Sequence, residues 1–212
     1  MNKKIRFIGD LHGDLKAWKF LINEDNYEYT IVLGDFGAGF VKVPDEKEID
    51  MKHKFIRGNH DDPQACKESS RWISDGTFWD EYSMMFVGGA YSIDREYRTI
   101  GIDWWEDEEL SYQELEKMIN LYINYKPRIM VTHDFPHSVA EKLFRGMGGY
   151  PIKATRTSYA LDKMLYEHQP EIWLGGHWHE SKNIVIDKTR FICCNINEAI
   201  DINFTKTGEK ND

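Results

Sequence analysis

Phe7-Ile8-Gly9-Asp10-Leu11-His12-Gly13 closes the first apolar run of the chain. Residues 5–8 read as a strand buried on both faces, and the run breaks at a glycine into an aspartate and a histidine two positions apart. In extended backbone, residues i and i+2 point the same way. A carboxylate and an imidazole leaving one face at a strand end are a hard and a borderline metal ligand side by side. Alone the pattern is weak, because many strands stop at Gly-Asp. Its meaning depends on the other strand ends.

Those ends repeat the pattern. A second apolar run, 30–33, stops at Gly34-Asp35, and a third, 54–57, stops at Gly58-Asn59-His60-Asp61. The run 83–87 ends in Gly88-Gly89, 128–131 in Thr132-His133-Asp134, and 171–174 in Gly175-Gly176-His177-Trp178-His179. Between them lie helical patterns. Leu15, Trp18, Leu21 and Ile22 recur at helical spacing after Asp14, an N-cap residue type. Ser111 with Glu114 forms a capping box ahead of the stripe Leu115, Met118, Ile119 and Tyr122. Further helices are read at 138–144 and 157–168, separated by the glycine-rich stretch 146–151, and the segment 183–204 alternates as two or three strands. Segments 36–51 and 91–107 carry no period and read as irregular excursions. Strands alternating with helices place function at the carboxyl ends of a parallel sheet.

Collected, these ends supply Asp10, His12, Asp35, Asn59, His133, His177 and His179, with His60 beside them; five of the eight histidines follow directly on an apolar run. Seven oxygen and nitrogen ligands are too many for one tetrahedral ion and suit two close ions sharing a carboxylate, the arrangement that serves in-line displacement at phosphorus. With no thiolate in the set, Mn, Fe, Zn, Ni or Co is expected ahead of Ca. For each residue taken singly, a capping aspartate or a core histidine is the plainer explanation. The joint placement argues for metal.

The ordered series Gly-Asp-Leu-His, Gly-Asp, Gly-Asn-His-Asp, Thr-His-Asp and Gly-His-Trp-His, spanning residues 9–179, resembles the calcineurin-like metallophosphoesterases. The stretch 89–106 is similar to one found in small bacterial and phage members of that family. The resemblance implies a four-layer α/β/β/α sandwich of two mixed sheets with flanking helices. It implies two divalent ions per chain, Mn foremost, with Asp10, His12 and His179 on the first, Asn59, His133 and His177 on the second, and Asp35 bridging. It further implies hydrolysis of phosphate monoesters or diesters by metal-bound hydroxide, with Asn59 and His60 contacting the phosphate and His60 protonating the leaving oxygen. One departure matters. Where many protein phosphatases of the superfamily have an aspartate three residues after the bridging one and then Arg-Gly, this chain reads Phe36-Gly37-Ala38-Gly39. That weakens a protein-phosphatase reading and leaves the phosphodiesterase side open. Cations to replace the missing arginine are sought in the loops 95–105 and 145–156, with Arg95, Arg145 and Arg156 as candidate substrate contacts and Arg98 beside them. A non-catalytic metal-binding scaffold is the rival from another class.

Composition fits this picture. The chain has 212 residues, 41% hydrophobic and 30% charged, enough for one sizeable core. A net charge of −9 disfavours coating long nucleic acid, whose affinity comes from Lys/Arg clusters. A phosphorylated small molecule, a nucleotide or a short nucleic acid is the expected substrate. Three cysteines, Cys66 and the adjacent Cys193 and Cys194, make a poor disulfide framework and read as small buried apolar residues in a reducing cytoplasm. No apolar run has membrane-span or export-signal length. Residues 1–204 are expected to form a single domain and 205–212 a polar tail, and nothing in the pattern fixes an oligomeric state. Arg57 is expected to pair with an acid within the fold, and Trp104 and Trp105 to pack their loop onto the body.

Overall fold

The computed structural model describes residues 3–24, 26–146 and 152–204; part of the glycine-rich stretch and the tail lie outside them. In chain order the elements are β1 (Lys3–Ile8), α1 (Leu15–Leu21), β2 (Tyr29–Val32), β3 (His53–Phe55), α2 (Pro63–Glu68), β4 (Phe78–Trp79) and β5 (Met84–Val87). A single 3-10 turn (Arg95–Tyr97), α3 (Tyr112–Tyr125), β6 (Ile129–Thr132), α4 (His137–Phe144) and α5 (Arg156–Glu167) follow, then β7 (Ile172–Gly175), β8 (Lys182–Ile186), β9 (Thr189–Cys193) and β10 (Ala199–Phe204).

The strands form two mixed sheets, ordered β10-β1-β2-β3 and β4-β5-β6-β7-β9-β8. β1, β2 and β3 are parallel, as are β5, β6, β7 and β9; β10, β4 and β8 run against their neighbours. Side-chain alternation sorts the layers. Ile5, Phe7, Ile31 and Leu33 of the smaller sheet meet Met84, Phe86, Ile129 and Val131 of the larger one in the central core. The intervening residues of the larger sheet, Met85, Val87, Met130 and Trp173, turn outward under Leu115, Tyr122, Val139, Leu161 and Met164 of α3, α4 and α5. Ile8, Val32 and Phe55 face the other way, under Trp18 of α1 and Cys66 of α2. The result is the expected four layers, α/β/β/α.

Local signals set the helix ends. Asp14 accepts the N–H groups of Lys16 and Ala17 at 3.1 and 2.9 Å. Ser111 and Glu114 close a reciprocal capping box. Two elements, α2 and β4, go beyond the sequence reading. α2 has its own signal, since Asp62 caps it and Pro63 fills its first turn. Cys193 and Cys194 are buried free thiols, as expected. Arg57 is structural: its Nε donates to Asp75 Oδ2 at 3.0 Å and its Nη1 to the carbonyls of Asp107 and Glu108 at 3.0 and 2.9 Å. Among the described residues, no helix is long and apolar enough to cross a membrane.

Candidate metal centre

Because the strands carrying the motifs are parallel within each sheet, their carboxyl ends share one edge, and the two sheets bring those edges together. The loop after β1 and the loop after β2 are laced by N–H groups of Leu11 and His12, both donating to the carbonyl of Asp35 at 3.0 and 2.8 Å. His12, Asp35, His177 and His179 all adopt left-handed backbone, with φ of 45°, 51°, 67° and 51°. Each such residue costs about 1–2 kcal/mol. Strain of this kind persists where the surrounding structure over-determines it, and it clusters at functional sites.

Glycines make room for the carboxylates. A Cβ on Gly58 would fall on the Asp35 carboxylate and backbone nitrogen, and a Cβ on Gly176 on Asp10 Oδ1. Asp10 and Asp35 are in consequence fully buried.

The predicted ligands fall into two groups that meet at Asp35. In the first, His179 Nε2 lies 3.1 Å from Asp10 Oδ2 and 3.0 Å from His12 Nε2. The ligand atoms of Asp10, His12, Asp35 and His179 all lie within 4.8 Å of one another. In the second, His133 Nε2 and His177 Nδ1 converge on Asn59 Oδ1 at 3.1 and 3.0 Å. Asp35 faces both, with Oδ2 3.9 Å from His12 Nδ1 and Oδ1 3.4 Å from His133 Nε2.

This donor set fits divalent cations. His133 Nδ1–H donates to the Leu33 carbonyl at 2.7 Å, which leaves Nε2 to face the centre. Asn59 Nδ2 donates to Ser92 Oγ at 2.9 Å, which turns Oδ1 inward. The electrostatics point the same way. Burial opposes ionisation of Asp35, but the facing imidazoles of His133, His60 and His12 hold its carboxyl well below the usual range. Burial likewise opposes charge on His133, yet Asp35 pushes its imidazolium up to about 10. Burial and the neighbouring His133 push His177 down to about 3. The buried carboxylates thus draw positive charge into the cluster, which is the field a cation would meet.

Two further residues hold the centre together. Asp61, fully buried, accepts N–H groups from Gly37, Ala38 and Gly58 at 2.7, 2.8 and 2.8 Å and from Phe36 at 3.2 Å. It staples the loop carrying Asp35 to the loop carrying Asn59. Burial and the nearby Asp35 charge, against those N–H bonds, push its carboxyl up to about 6. Ser92, whose N–H donates to Glu108 Oε1 at 3.0 Å, carries the brace on Asn59. Asp61 closes the Gly58-Asn59-His60-Asp61 motif, and the motif alone assigns it no role. Its signal is that a backbone turn rich in glycine N–H groups needs an anionic acceptor.

His60 stands at the rim. Its backbone N–H donates to Asp35 Oδ1 at 2.8 Å, and its ring packs edge-on to His12 at 5.0 Å. Burial lowers its pKa against the attraction of Asp35. The centre opens into a cleft of about 540 Å³ whose walls include Ile93, Asp94, Arg98 and Trp178. The arginines expected to reach substrate do not line this cleft. Arg95 is exposed and lies over the Tyr91 ring at 4.5 Å. Arg145 is exposed at the C-terminal end of α4, beside Ser138 and Glu141. Arg156 turns to Glu109, with Nε 3.7 Å from Oε2. Arg98 enters the cleft instead, because it is the first residue beyond the 3-10 turn and its backbone is extended there (φ −106°, ψ 163°).

Fold and site together describe a metallophosphoesterase. The sequence model of the calcineurin-like phosphoesterases matches residues 3–181, most of the chain, and the protein belongs to that family. No curated protein sequence matches it. Among solved structures, one similar fold is GAP50, described as the anchor in the inner membrane complex of Plasmodium (TM-score 0.53, 15% identity, 99% of this chain and 76% of that one). Another is a Staphylococcus aureus protein provisionally described as a 5'-nucleotidase, solved with alpha-ketoglutarate (TM-score 0.55, 10% identity, 96% of this chain). This chain covers 51% of that protein's length. At such identities the likeness is one of fold.

Proposed function

We propose that the protein is a metal-dependent hydrolase of phosphate esters, with a phosphorylated small molecule or nucleotide as substrate. Asp10, His12 and His179 would hold one divalent cation, Asn59, His133 and His177 a second, and Asp35 would be shared. The observation that carries this reading is the convergence of all seven side chains on two groups that meet at one buried carboxylate. Bound there, the cations supply Lewis acidity toward phosphoryl oxygens and lower the pKa of water.

The chain's own residues do the rest. Asp35, fixed by the N–H of His60 and by the staple through Asp61, keeps the two groups in register. Burial of Asp10, Asn59 and His133 excludes bulk water behind the reacting phosphorus. His60, at the mouth of the cleft, would contact the phosphate and, in its imidazolium form, protonate the departing oxygen as general acid.

Arg98 is the sole Lys or Arg among the described cleft-lining residues, and Asp94 already neutralises it. That balance suits a singly charged diester better than a doubly charged monoester. A non-catalytic scaffold remains the rival, and one structural neighbour is described as an anchor. Retention of His60 together with the full ligand set favours the enzyme.

The test uses Mn-loaded protein, an aryl phosphomonoester and its bis-aryl diester, and compares wild type with Asp35→Asn. The expected result is diester turnover that Asp35→Asn abolishes. Equal background from both proteins on both esters would overturn the hydrolase reading, and turnover of the monoester alone would overturn the diester preference.

A further inference from the structure

Arg57, Arg71 and Arg98 are all largely buried, and their partners differ in kind. Arg71 donates to the carbonyls of Pro44, Asp50, His53, Asp45 and Ile49, and Arg57 to two carbonyls and a carboxylate. Both guanidinium groups meet acceptors, as buried cations must. Arg98 is different. Its side chain is 14% exposed, and its Nε is buried without a partner. Nη1 lies 2.6 Å from His60 Nδ1 and 3.1 Å from the Asp103 carbonyl, while Nη2 lies 2.9 Å from His60 Nε2 and 2.6 Å from Asp94 Oδ2.

A neutral imidazole has one acceptor nitrogen and one N–H. Two guanidinium N–H groups against both ring nitrogens therefore leave one contact as donor facing donor. Arg98 sits in the cleft with fewer acceptors than it has N–H groups, against the ring proposed to meet the substrate. The fork geometry of a guanidinium matches two oxygens of a phosphate.

We propose that Arg98 is the substrate-gripping cation of this cleft. Its guanidinium stands on His60 until the anionic oxygens of a phosphoester take its N–H groups and free the imidazole. Asp94 keeps the side chain pointed inward throughout. The assignment rests on the hydrolase reading for its substrate, yet the anion site can be tested apart from turnover. It also accounts for the missing arginine after Asp35: the cation comes from the irregular 91–107 loop, three residues past the one the sequence favoured.

The experiment uses the full chain loaded with Mn. Hydrolysis of bis(4-nitrophenyl) phosphate gives kcat and KM, inorganic phosphate gives a competitive inhibition constant, and calorimetry gives phosphate affinity directly. For Arg98→Ala, KM and the phosphate constants are expected to rise roughly 10- to 100-fold, the range of a lost charge-assisted contact. Arg98→Lys keeps charge and stem but loses the fork, so an intermediate rise is expected, and it answers the question if the alanine variant does not fold. A fall in kcat with KM and phosphate affinity unchanged would overturn the proposal, since Arg98 would then only orient His60. If wild type turns over no ester, the hydrolase reading fails. Weakened phosphate binding in Arg98→Ala would still support the anion site, and unchanged binding would overturn it.

Discussion

Arg57→Met removes one partner of a buried ion pair while nearly conserving volume. Arg57 is 4% exposed, and the Asp75 side chain beside it 11%. The substitution leaves that carboxylate with the Gly88 N–H at 2.5 Å and strips a donor from the carbonyls of Asp107 and Glu108. Methionine fills most of the space, so the electrostatic loss dominates the cavity term. Stranding one member of a buried pair costs about 3–5 kcal/mol. For a chain of 212 residues, at roughly 2–4 °C per kcal/mol, the melting temperature should fall by about 6–20 °C. Thermal unfolding of the metal-free protein at fixed pH reads that shift, and urea unfolding with the slope unchanged gives the free-energy loss. The double variant Arg57→Met with Asp75→Leu removes the stranded charge and leaves the Gly88 N–H without an acceptor, a loss of about 1–3 kcal/mol. It should be more stable than Arg57→Met alone. A single-variant loss below about 0.5 kcal/mol, the scale of ordinary surface substitutions, or strictly additive behaviour in the double variant, would refute the buried-pair argument.

Two further outcomes follow from the centre itself. Asp61→Ala takes the acceptor from four buried N–H groups, each worth about 1–3 kcal/mol when stranded. Metal-free protein should melt at least about 5 °C lower and bind Mn more weakly, and an unchanged Mn isotherm would contradict the staple. Asp10→Ala or His12→Ala should empty one cation position while Asn59→Ala empties the other, read as metal per chain after equilibration at limiting Mn. Equal loss from both positions in every variant would refute the division into two groups.

The layers were legible because alternation carries them. Met84 and Phe86 face the central core while Met85 and Val87 face α3, a period of two that only a strand between two apolar layers satisfies. Where apolar periodicity is thin, the reading thinned too. α2 buries only Pro63 and Cys66, too little to register as a stripe, and its cap signal Asp62-Pro63 was the one available clue. β4 is two residues long and exists because β5 offers it an edge.

The site was legible for a different reason. Each ligand lies within four residues of the carboxyl end of a parallel strand, so its position in sequence constrains its position in space. That logic fails one step outward. Whether Arg95 or Arg98 enters the cleft depends on a single 3-10 turn in a loop with no period, and one turn rotates a side chain from solvent to site without altering composition. The same holds for the residues that hold others. Asp61 and Ser92 act through backbone N–H groups and an amide whose approach is set by where two loops meet. Sequence therefore reports groups borne on regular elements and passes over those borne on the loops between them. The excursion 91–107, with Ile93 and Tyr97 largely exposed and Ile93 lining the cleft, belongs to the second kind. Ligand positions are constrained by strand geometry, so substrate preference is free to vary only in such loops, and this one is where the specificity of the protein is expected to reside.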